Sequence, residues 1–444
     1  MESRQASQID LDRIREQYDR SPYPRIPLEN SPKNDYNQLF IHNMVTPYYL
    51  RYQRVVDTQD KLILDVGCGS GYKSLQLAEA NPGAKIVGID LSPLSIDLAK
   101  QRLAHHGFEN VEFHAMSVDD IPQLGMTFDY INCDELLYIL PNPIAGLHVM
   151  KSVLKPQGLL RTNLHSAYQR QGYHRGQALF QMLGLTENNP GEEEVGIVIE
   201  TMKALKDDVA LKAQNWQPQY EGPDGEQTIL MNHLLLGDKG FTVAQMFAML
   251  RETDLEFVSM VNWRQWEVTD LFKDADDLPA YIGLSLLGAS PEERLRAYEL
   301  MHPVHRLLDF WCTHPDNVEI TPIDDWSDHD WQNAIIHLHP QLRTEPMRES
   351  LTKAIEDSTQ FQINRLVSVS SLGQVFIENT NASCLLPLWE SPQPFKVLVD
   401  RFLKVRPVHP VTLEPTTPEV AFQTIKKMLN QLEAFLFVLP ERSI

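Results

Sequence analysis

Short apolar runs alternate with helical stretches between residues 62 and 164, and this alternation limits the possible folds more than any other feature of the chain. The run Leu62–Val66 is apolar except at Asp65, as is typical of a strand that is buried on both faces. Between predicted helices, further strands are expected at 85–90, 111–115, 128–133 and 159–164. Strands and helices that alternate with short connections form a parallel sheet covered by helices on both faces. An α/β fold is therefore predicted for this stretch.

The first predicted strand ends in a glycine-rich turn, residues 65–71 with the sequence DVGCGSG. Glycines let the backbone turn tightly and approach a ligand. The N-terminus of the following helix offers free N–H groups to a carboxylate, and Asp65 can face a positively charged ammonium group. A second acid, Asp90, ends the next strand, where its carboxylate can accept hydrogen bonds from both hydroxyls of a ribose.

Two phosphate-binding patterns do not fit this turn. A dinucleotide-binding fingerprint needs glycine at position 72, where the chain has Tyr72, and this argues against an oxidoreductase on a similar sheet. The P-loop pattern needs Gly-Lys followed by Ser or Thr, which is absent here. A turn that only joins a strand to a helix, without a ligand, is the remaining structural alternative.

The stretch 62–164 resembles the class I S-adenosylmethionine-dependent methyltransferases. Residues 65–71 resemble their glycine-rich first motif and residues 87–92 their ribose-binding second motif. Residues 128–133 are similar to their fourth strand, and 154–158 to the turn before the fifth. The resemblance implies a Rossmann-like sheet that binds S-adenosyl-L-methionine. It also implies cofactor contacts from Asp65, Gly67, Cys68, Gly69, Gly71, Asp90, Leu91, Ser117, Val118 and Cys133.

The chain departs from this family after the third strand, where the family often has an acid that binds the adenine amino group. Ser117 occupies that position, and Asp119 follows two residues later. Either the serine hydroxyl or the Asp119 carboxylate could make the adenine contact, so this assignment stays open.

The residues that follow the fourth strand, 133–138, are expected to lie nearest the transferred methyl group. Methyl transfer from a sulfonium is an in-line displacement, in which the protein mainly positions the acceptor and excludes water. Glu135 or Asp134 could orient an amine, and Tyr138 could line the acceptor pocket. His165, after the fifth strand, could act as a base. Each also has a structural interpretation: an acid can cap the next helix, and a buried histidine can simply be hydrogen-bonded.

An unusual segment, YDRSPYP at residues 18–24, precedes the sheet. It resembles a Tyr-Asp-x-x-Pro-Tyr-Pro segment of a group of bacterial methyltransferases that includes multidomain protein-lysine methyltransferases. Tyr18 and Tyr23 are predicted to close over the cofactor as a lid. A rigid turn packed on the core is the alternative interpretation.

Charge and motifs together argue against nucleic acid as the acceptor. The formal net charge is −21, which repels a polyanion. The Asn/Asp-Pro-Pro-Tyr/Phe motif of enzymes that methylate base amines is absent after the fourth strand. The predicted acceptor is a lysine-type amine on a protein, or a small molecule. Two alternatives are a SAM-binding regulatory or interaction protein with weak catalysis, and a small-metabolite O- or S-methyltransferase.

The polar start of the chain carries no secretory signal, and no apolar stretch is long enough to cross a membrane. None of the four cysteines forms a Cys-x-x-Cys pair, so a reducing, cytoplasmic location is expected, without a membrane partner. A group of histidines and one cysteine fits no defined zinc pattern, and no metal is predicted there: His302, His305, Cys312 and His314.

Five regions are predicted along the chain. A capping box at Thr242 and a strand at 255–261 indicate that the chain returns to the sheet after a helical insertion. Helix is expected over 290–313, and a small α+β domain near the C-terminus. The predicted boundaries are an N-terminal helical segment or lid at 1–60, a SAM-binding domain at 61–167 and 241–265, a helical insertion at 168–240, a helical middle region at 266–342 and a C-terminal domain at 343–444.

Overall fold

The computed structural model describes Arg15, Asp19 and residues 23–275 and 277–442. Its central feature is a sheet of eight strands, β1 Leu62–Val66, β2 Lys85–Asp90, β3 Val111–Ala115, β4 Phe128–Cys133, β5 Leu154–Ser166, β6 Gly240–Phe241, β7 Glu256–Met260 and β8 Leu307–Thr313. The strand order is β3-β2-β1-β4-β5-β8-β7, and β6 pairs with β5. Strands β1 to β6 pair in parallel, whereas β8 is antiparallel to both of its neighbours. The Rossmann-like α/β fold that the sequence predicts is confirmed.

Two separate cores lie on the two faces of the sheet, because neighbouring residues of a strand point to opposite faces. Ile63 enters one core together with residues of α3 and α4, whereas Leu64 enters the other together with residues of α5 and α10. The helices near the sheet are α1 Tyr36–His42, α2 Val45–Tyr52, α3 Tyr72–Ala80, α4 Pro93–His105, α5 Pro143–Val153 and α10 Val243–Glu252. Ser92 caps α4 by accepting a hydrogen bond from Ser95 N, and the capping box predicted at Thr242 is present at the start of α10.

Residues 168–240 contain four helices, α6 Gln171–Met182, α7 Glu192–Ala204, α8 Ala210–Asn215 and α9 Gly225–Asn232. They enclose a core of their own, which includes Phe180, Val198, Met202, Tyr220 and Ile229. The insertion is therefore a packed unit beside the sheet.

The middle of the chain differs from the helical region predicted at 266–342. Helices α11 Ala280–Leu287 and α12 Pro291–Met301 are present, but Leu307–Thr313 forms β8, inserted between β5 and β7. The expectation of helix up to residue 313 was wrong because a short apolar run does not distinguish a buried strand from a buried helix. The sheet is thus completed by a strand that follows α12.

The C-terminal unit also begins earlier than residue 343, because β9 is the central strand of its sheet, β12-β9-β13. The N-terminal helices pack against this unit, and Tyr49 Oη donates to the carbonyl of Pro440 at 2.9 Å. Its elements are α13 Asp328–Gln332, β9 Ala334–Leu338, α14 Glu345–Glu356, β10 Phe361–Gln362, β11 Phe376–Ile377, α15 Asn379–Ser383, β12 Gln393–Pro394, α16 Phe395–Val405, α17 Pro418–Glu433 and β13 Val438–Arg442. Across the described residues, no helix is both long enough and apolar enough to span a bilayer.

Candidate active site

A cavity of about 1210 Å³ opens at the carboxyl edge of the sheet. Strand order reverses there between β1 and β4, which is where α/β sheets bind their ligands. A small-molecule site usually has a volume of roughly 300–1,000 Å³. The cavity therefore has room for more than one ligand.

The glycine-rich turn and Asp90 form one wall of the cavity, to which Gly67, Cys68, Gly69 and Leu91 also contribute. Gly69 N donates to Asp90 Oδ2 at 3.0 Å and Ser92 N donates to Asp90 Oδ1 at 2.9 Å. Each carboxylate oxygen keeps a second lone pair for a ligand hydroxyl. Burial raises the pKa of Asp90.

Three residues predicted to contact the cofactor lie behind this wall. Asp65 does not line the cavity: it accepts hydrogen bonds from Ser74 Oγ at 2.6 Å and from Asn132 Nδ2 at 2.8 Å. Burial raises its pKa to about 6. Gly71 packs against α4, where a Cβ would lie 2.6 Å from Ala99 Cα, and Cys133 is buried in β4. These three residues support the turn from the side that faces away from the cavity.

Ser117, Val118 and Asp119 line the part of the cavity next to β3. Ser117 Oγ donates to Asp120 Oδ2 at 2.8 Å, so the hydroxyl has lone pairs left for a ligand donor. Asp119 is exposed. Both candidates for the adenine contact are thus present on the same wall.

The segment that begins at Tyr23 lies directly on the glycine-rich turn. Tyr23 O accepts a hydrogen bond from Ser70 N at 2.9 Å, and Pro24 O accepts one from Ser70 Oγ at 2.7 Å. Arg102 holds the same segment through the carbonyl of Ile26 at 2.6 Å. Tyr23 lines the cavity, whereas Tyr18 lies outside the described residues. A Cβ at Gly69 would lie 2.2 Å from Tyr23 O, so this glycine is needed for the close approach of the segment.

A group of charges around the buried side chains of Arg161, His42 and Asp134 also includes Lys73 and Asp309, and it is here called the inner cluster. Lys73 Nζ lies 2.8 Å from Asp134 Oδ2, and Arg161 donates to both oxygens of Asp309 at 3.1 and 2.7 Å. Arg161 Nη1 also lies 3.1 Å from His42 Nε2. Burial raises the pKa of Asp134, but Lys73 and Arg161 outweigh this effect, so the pKa lies below its ordinary value.

A second group, the outer cluster, consists of Glu135, Arg306, Tyr138, His165 and Asp238. Arg306 donates to both oxygens of Glu135, and Tyr138 Oη donates to Glu135 Oε2 at 2.7 Å. His165 Nδ1 lies 2.6 Å from Asp238 Oδ1. Burial raises the pKa of Glu135, but the Arg306 guanidinium outweighs it and lowers the pKa overall. Glu135 is therefore an ionised carboxylate at neutral pH.

Asn163 links the two clusters. Its Oδ1 accepts a hydrogen bond from Glu135 N at 2.9 Å, and its Nδ2 donates to Asp134 Oδ1. Glu135 has a φ of 61°, in the left-handed region that L-residues rarely adopt. Such a conformation persists only where the surrounding structure holds it, and Asn163 is one of the groups that do so.

The structure separates the three candidate catalytic residues. Glu135 lines the cavity, but Tyr138 and His165 do not. Their rings stack on each other at a centroid distance of 3.7 Å and are 5% and 1% exposed. The prediction that Tyr138 lines the acceptor pocket is therefore corrected: Tyr138 lies behind the cavity wall, where its hydroxyl donates to Glu135, which does line the cavity.

Sequence reasoning missed several charged residues of the cavity wall. Arg161 interrupts a buried strand, and a charge in such a strand is a usable signal of a functional site. Asp309 lies in β8 and Arg306 immediately precedes this strand, in a stretch that the sequence pattern predicted as helix. Two further residues of the wall were missed, the charged Lys73 and the uncharged Gln76, as was Asp238, which lies on His165 and does not line the cavity.

The histidines near residue 305 have other roles in the structure. The His305 ring stacks on Trp266 at 4.3 Å, and His314 Nε2 lies 3.1 Å from the carbonyl of Leu154. Cys312 is buried in β8. Within the part of the chain that the structure describes, no three His, Cys, Asp or Glu residues are arranged to hold a metal ion.

Comparison with known proteins connects this geometry to a family. The profile of the family described as "Methyltransferase domain" matches residues 57–222, which include the glycine-rich turn, Asp90 and the end of β4. The chain contains an S-adenosylmethionine-dependent methyltransferase domain. A ubiquinone biosynthesis O-methyltransferase of Haemophilus ducreyi is 35% identical over 106 residues, which cover 22% of this chain and 43% of that protein. The chain thus matches less than half the length of that relative.

Two further matches extend beyond the methyltransferase domain. An uncharacterised protein of a Synechococcus species is 24% identical over 324 residues, covering 73% of this chain and 75% of that protein. The structure of PKMT2 from Rickettsia typhi in complex with AdoHcy aligns with a TM-score of 0.59 and 14% identity, covering 95% of this chain and 78% of that one. This likeness shows that the fold, including the regions outside the methyltransferase domain, recurs in another protein.

The residues of the methyltransferase domain fit the cofactor. Gln76 lines the cavity, and its Oε1 is buried with no hydrogen-bond partner among the described residues. A buried unpaired acceptor is costly and indicates a missing donor, and the cofactor's ammonium group is such a donor. Lys73 and Arg161 offer positive charge to its carboxylate, and Asp90 offers acceptors to its ribose.

Proposed function

We propose that this chain transfers the methyl group of S-adenosylmethionine to an amine of the lysine type, on a protein or on a small molecule. The observation that carries the proposal is the charge of the cavity wall. Among the described residues, six carboxylates line the cavity against three cationic side chains: Asp35, Asp90, Asp119, Asp134, Glu135 and Asp309 against Lys73, Arg161 and Arg306. The cofactor adds one net positive charge, from its sulfonium, and the wall stays negative.

A negative wall attracts a cationic acceptor and repels an anionic one. The whole chain carries the same sign, with a formal net charge of −21. A protonated amine is therefore concentrated near the site, whereas a nucleic acid is repelled. This supports an amine acceptor and gives no support to a nucleic-acid acceptor.

Bound S-adenosylmethionine supplies an electrophilic methyl group, and this chain's residues orient the acceptor and exclude water. Of the two acids after β4, the Glu135 side chain is 25% exposed and the Asp134 side chain 4%. Glu135 is thus the acid that would contact the acceptor. It would receive a hydrogen bond from the amine and orient its lone pair after the ammonium has lost a proton.

The cofactor would be held at both of its ends. Asp90 would accept hydrogen bonds from the ribose hydroxyls, Lys73 and Arg161 would face the methionine carboxylate, and Gln76 Oε1 would accept from the ammonium. Tyr23 would cover the site from the N-terminal segment. Ser117 or Asp119 would accept a hydrogen bond from the adenine amino group.

The proposal is tested by two variants that change the charge of the reacting wall. Glu135→Gln leaves the Arg306 cation on the wall without its partner, whereas Glu135→Gln combined with Arg306→Gln removes both charges and restores the net charge of the wall. An amine acceptor predicts that the single variant loses at least tenfold in turnover and that the double variant recovers part of it. The measurement is transfer of radiolabelled methyl to a lysine-rich peptide, with an arginine-for-lysine peptide as the control and cofactor affinity measured in parallel.

A second candidate function, O-methylation of a small molecule, is favoured by the 35% identity to the ubiquinone biosynthesis O-methyltransferase of Haemophilus ducreyi. An anionic phenolate or carboxylate acceptor predicts the opposite result, because Glu135→Gln would remove a repulsive charge and raise turnover. If cofactor binds but S-adenosylhomocysteine does not form with any acceptor, the chain is a binding protein rather than an enzyme.

A further inference from the structure

A continuous chain of polar contacts leads from the helical insertion to the cavity wall. Asp238, which follows α9, has a fully buried side chain and lies 2.6 Å from His165 Nδ1. His165 Nε2 lies 3.1 Å from Arg306 Nη1, and Arg306 is paired with Glu135 on the wall. The candidate acceptor-contacting acid is thus connected to a buried carboxylate of the insertion.

The contacts determine the tautomer of His165. A guanidinium can only donate, so Arg306 Nη1 must donate to a lone pair on His165 Nε2. The other ring nitrogen, Nδ1, then carries the proton and donates it to Asp238. His165 is consequently neutral. In a protonated ring, the N–H group at Nε2 would face the N–H group of Arg306 Nη1, and two donors cannot form a hydrogen bond.

We propose that Asp238 and His165 are positioning residues, which hold Arg306 against Glu135 so that the pair presents one fixed geometry to the methyl acceptor. This proposal rests on the proposed amine-methyltransferase function and assigns a role to the insertion within it. Neither residue touches the acceptor: His165 acts on Arg306, and Asp238 acts on His165.

The exposure of these side chains agrees with the two roles, in which Glu135 and Arg306 face the acceptor and His165 and Asp238 hold them in position. The Arg306 side chain is 46% exposed and the Glu135 side chain 25%, whereas those of His165 and Asp238 are 2% and 0% exposed. An exposed arginine without a second support would lose its orientation to side-chain entropy. The buried pair supplies that support from behind the wall.

The insertion also fixes the buried carboxylate itself. Asp238 Oδ2 lies 3.3 Å from Arg170 Nη2 and accepts a hydrogen bond from Gln177 Nε2 at 2.8 Å, and His174 lies 3.6 Å away. Arg170 immediately precedes α6, and Gln177 lies within this helix. Packing of the insertion against the sheet therefore sets the position of Asp238.

The arrangement makes acceptor binding sensitive to acid. His165 is faced by Asp238 and Arg170 from the insertion, by Glu135 and Tyr138 from the segment after β4, and by Arg306 from the segment before β8. Burial lowers the pKa of His165 below its ordinary value, although Asp238 opposes this. Protonation of His165 below pH 6.5 would break the contact with Arg306 and raise KM for the acceptor.

The first test reads the tautomer directly, without an acceptor. Nitrogen-15 NMR of the full chain with labelled histidine should show His165 protonated on Nδ1 and unprotonated on Nε2 at pH 7.5. Arg306→Met should shift the Nε2 resonance. A proton on Nε2 in the unaltered chain would overturn the proposal, because that nitrogen could then not accept from Arg306.

The second test separates positioning from packing with two substitutions at one site. His165→Phe keeps a ring against Tyr138 but removes the acceptor, whereas His165→Gln offers a carbonyl oxygen to Arg306. With a lysine-rich peptide as the probe, His165→Phe should raise KM at least fivefold with cofactor affinity unchanged. His165→Gln should recover most of this loss and remove the rise of KM in acid.

The outcomes distinguish this proposal from the function on which it rests. Two results would overturn the positioning role. One is an equal KM for the acceptor in His165→Phe and His165→Gln, and the other is a KM that still rises at low pH in His165→Gln. If the unaltered chain transfers no methyl group to the peptide or to small amines, the proposed function fails, and the tautomer alone then decides whether Asp238 and His165 hold Arg306.

Discussion

The inner and outer clusters contain the same chemistry in two different environments. Each pairs an arginine with a carboxylate through two hydrogen bonds, Arg161 with Asp309 and Arg306 with Glu135. Each arginine also lies 3.1 Å from a ring nitrogen of a buried histidine. The side chain of Arg161 is 5% exposed, however, and that of Arg306 is 46% exposed.

This difference in exposure indicates different roles. A buried ion pair cannot lose one partner without leaving a costly unpaired charge, whereas an exposed pair can exchange a partner for water or for a ligand. The inner cluster is thus suited to fix the sheet and one end of the cofactor, and the outer cluster is suited to meet an acceptor that enters and leaves.

The largest expected difference between the clusters is in stability. Arg161→Met leaves Asp309 without its two hydrogen bonds from Arg161, while Asp134 keeps Lys73, and it should lower the free energy of unfolding by about 3–5 kcal/mol. The matched substitution Arg306→Met should lower it by less than about 1 kcal/mol, as for an exposed ion pair. Urea denaturation of both variants measures the difference, and equal losses would show that exposure does not separate the clusters.

Cofactor affinity should also separate the clusters. In the proposed cofactor orientation, Lys73→Met removes a charge-assisted contact to the cofactor carboxylate. Such a contact is worth about 1.5–3 kcal/mol, so the variant should weaken binding of S-adenosylmethionine roughly tenfold to a hundredfold. Arg306→Met should change the dissociation constant by less than about twofold, since its expected partner is the acceptor. Calorimetric titration measures the dissociation constants of both variants. A strong effect of Arg306→Met would show that the cofactor contacts the outer cluster.

The smallest expected effect is the pH dependence of stability contributed by His42 of the inner cluster. Burial and then Arg161 lower its pKa well below the ordinary value. As pH falls, His42 therefore binds a proton in the unfolded chain before it does so in the folded chain. The contribution of neutral His42 to the free energy of unfolding is complete above about pH 6.5 and is lost below it.

The loss amounts to at most about 1.4 kcal/mol for each pH unit. His42→Gln should flatten the decline of stability between pH 6.5 and 5 by that amount, and His165→Gln should flatten it less, because its pKa is lowered less. Urea denaturation at several pH values compares the variants. Identical slopes in His42→Gln and the unaltered chain would mean that the pKa of His42 is the same in the folded and the unfolded chain.

Local sequence patterns determined the parts of this protein that depend on neighbours in the chain. Parallel strands β1 to β5 follow from short apolar runs, and the turn at 65–71 follows from its glycines. Asp90 lies on the cavity wall because it ends β2 directly beside that turn. Each of these predictions uses residues whose relation in space is set by a few peptide units.

Only the tertiary structure decided which charges meet. Glu135 and Arg306 are 171 positions apart, and His165 and Asp238 are 73 apart, so no periodicity in the sequence could pair them. Asp65 had the right residue type for a ligand contact, but Ser74 and Asn132 use its oxygens behind the wall. The physical reason is that a charge takes its role from its partner and its exposure, and both arise only when distant segments pack together.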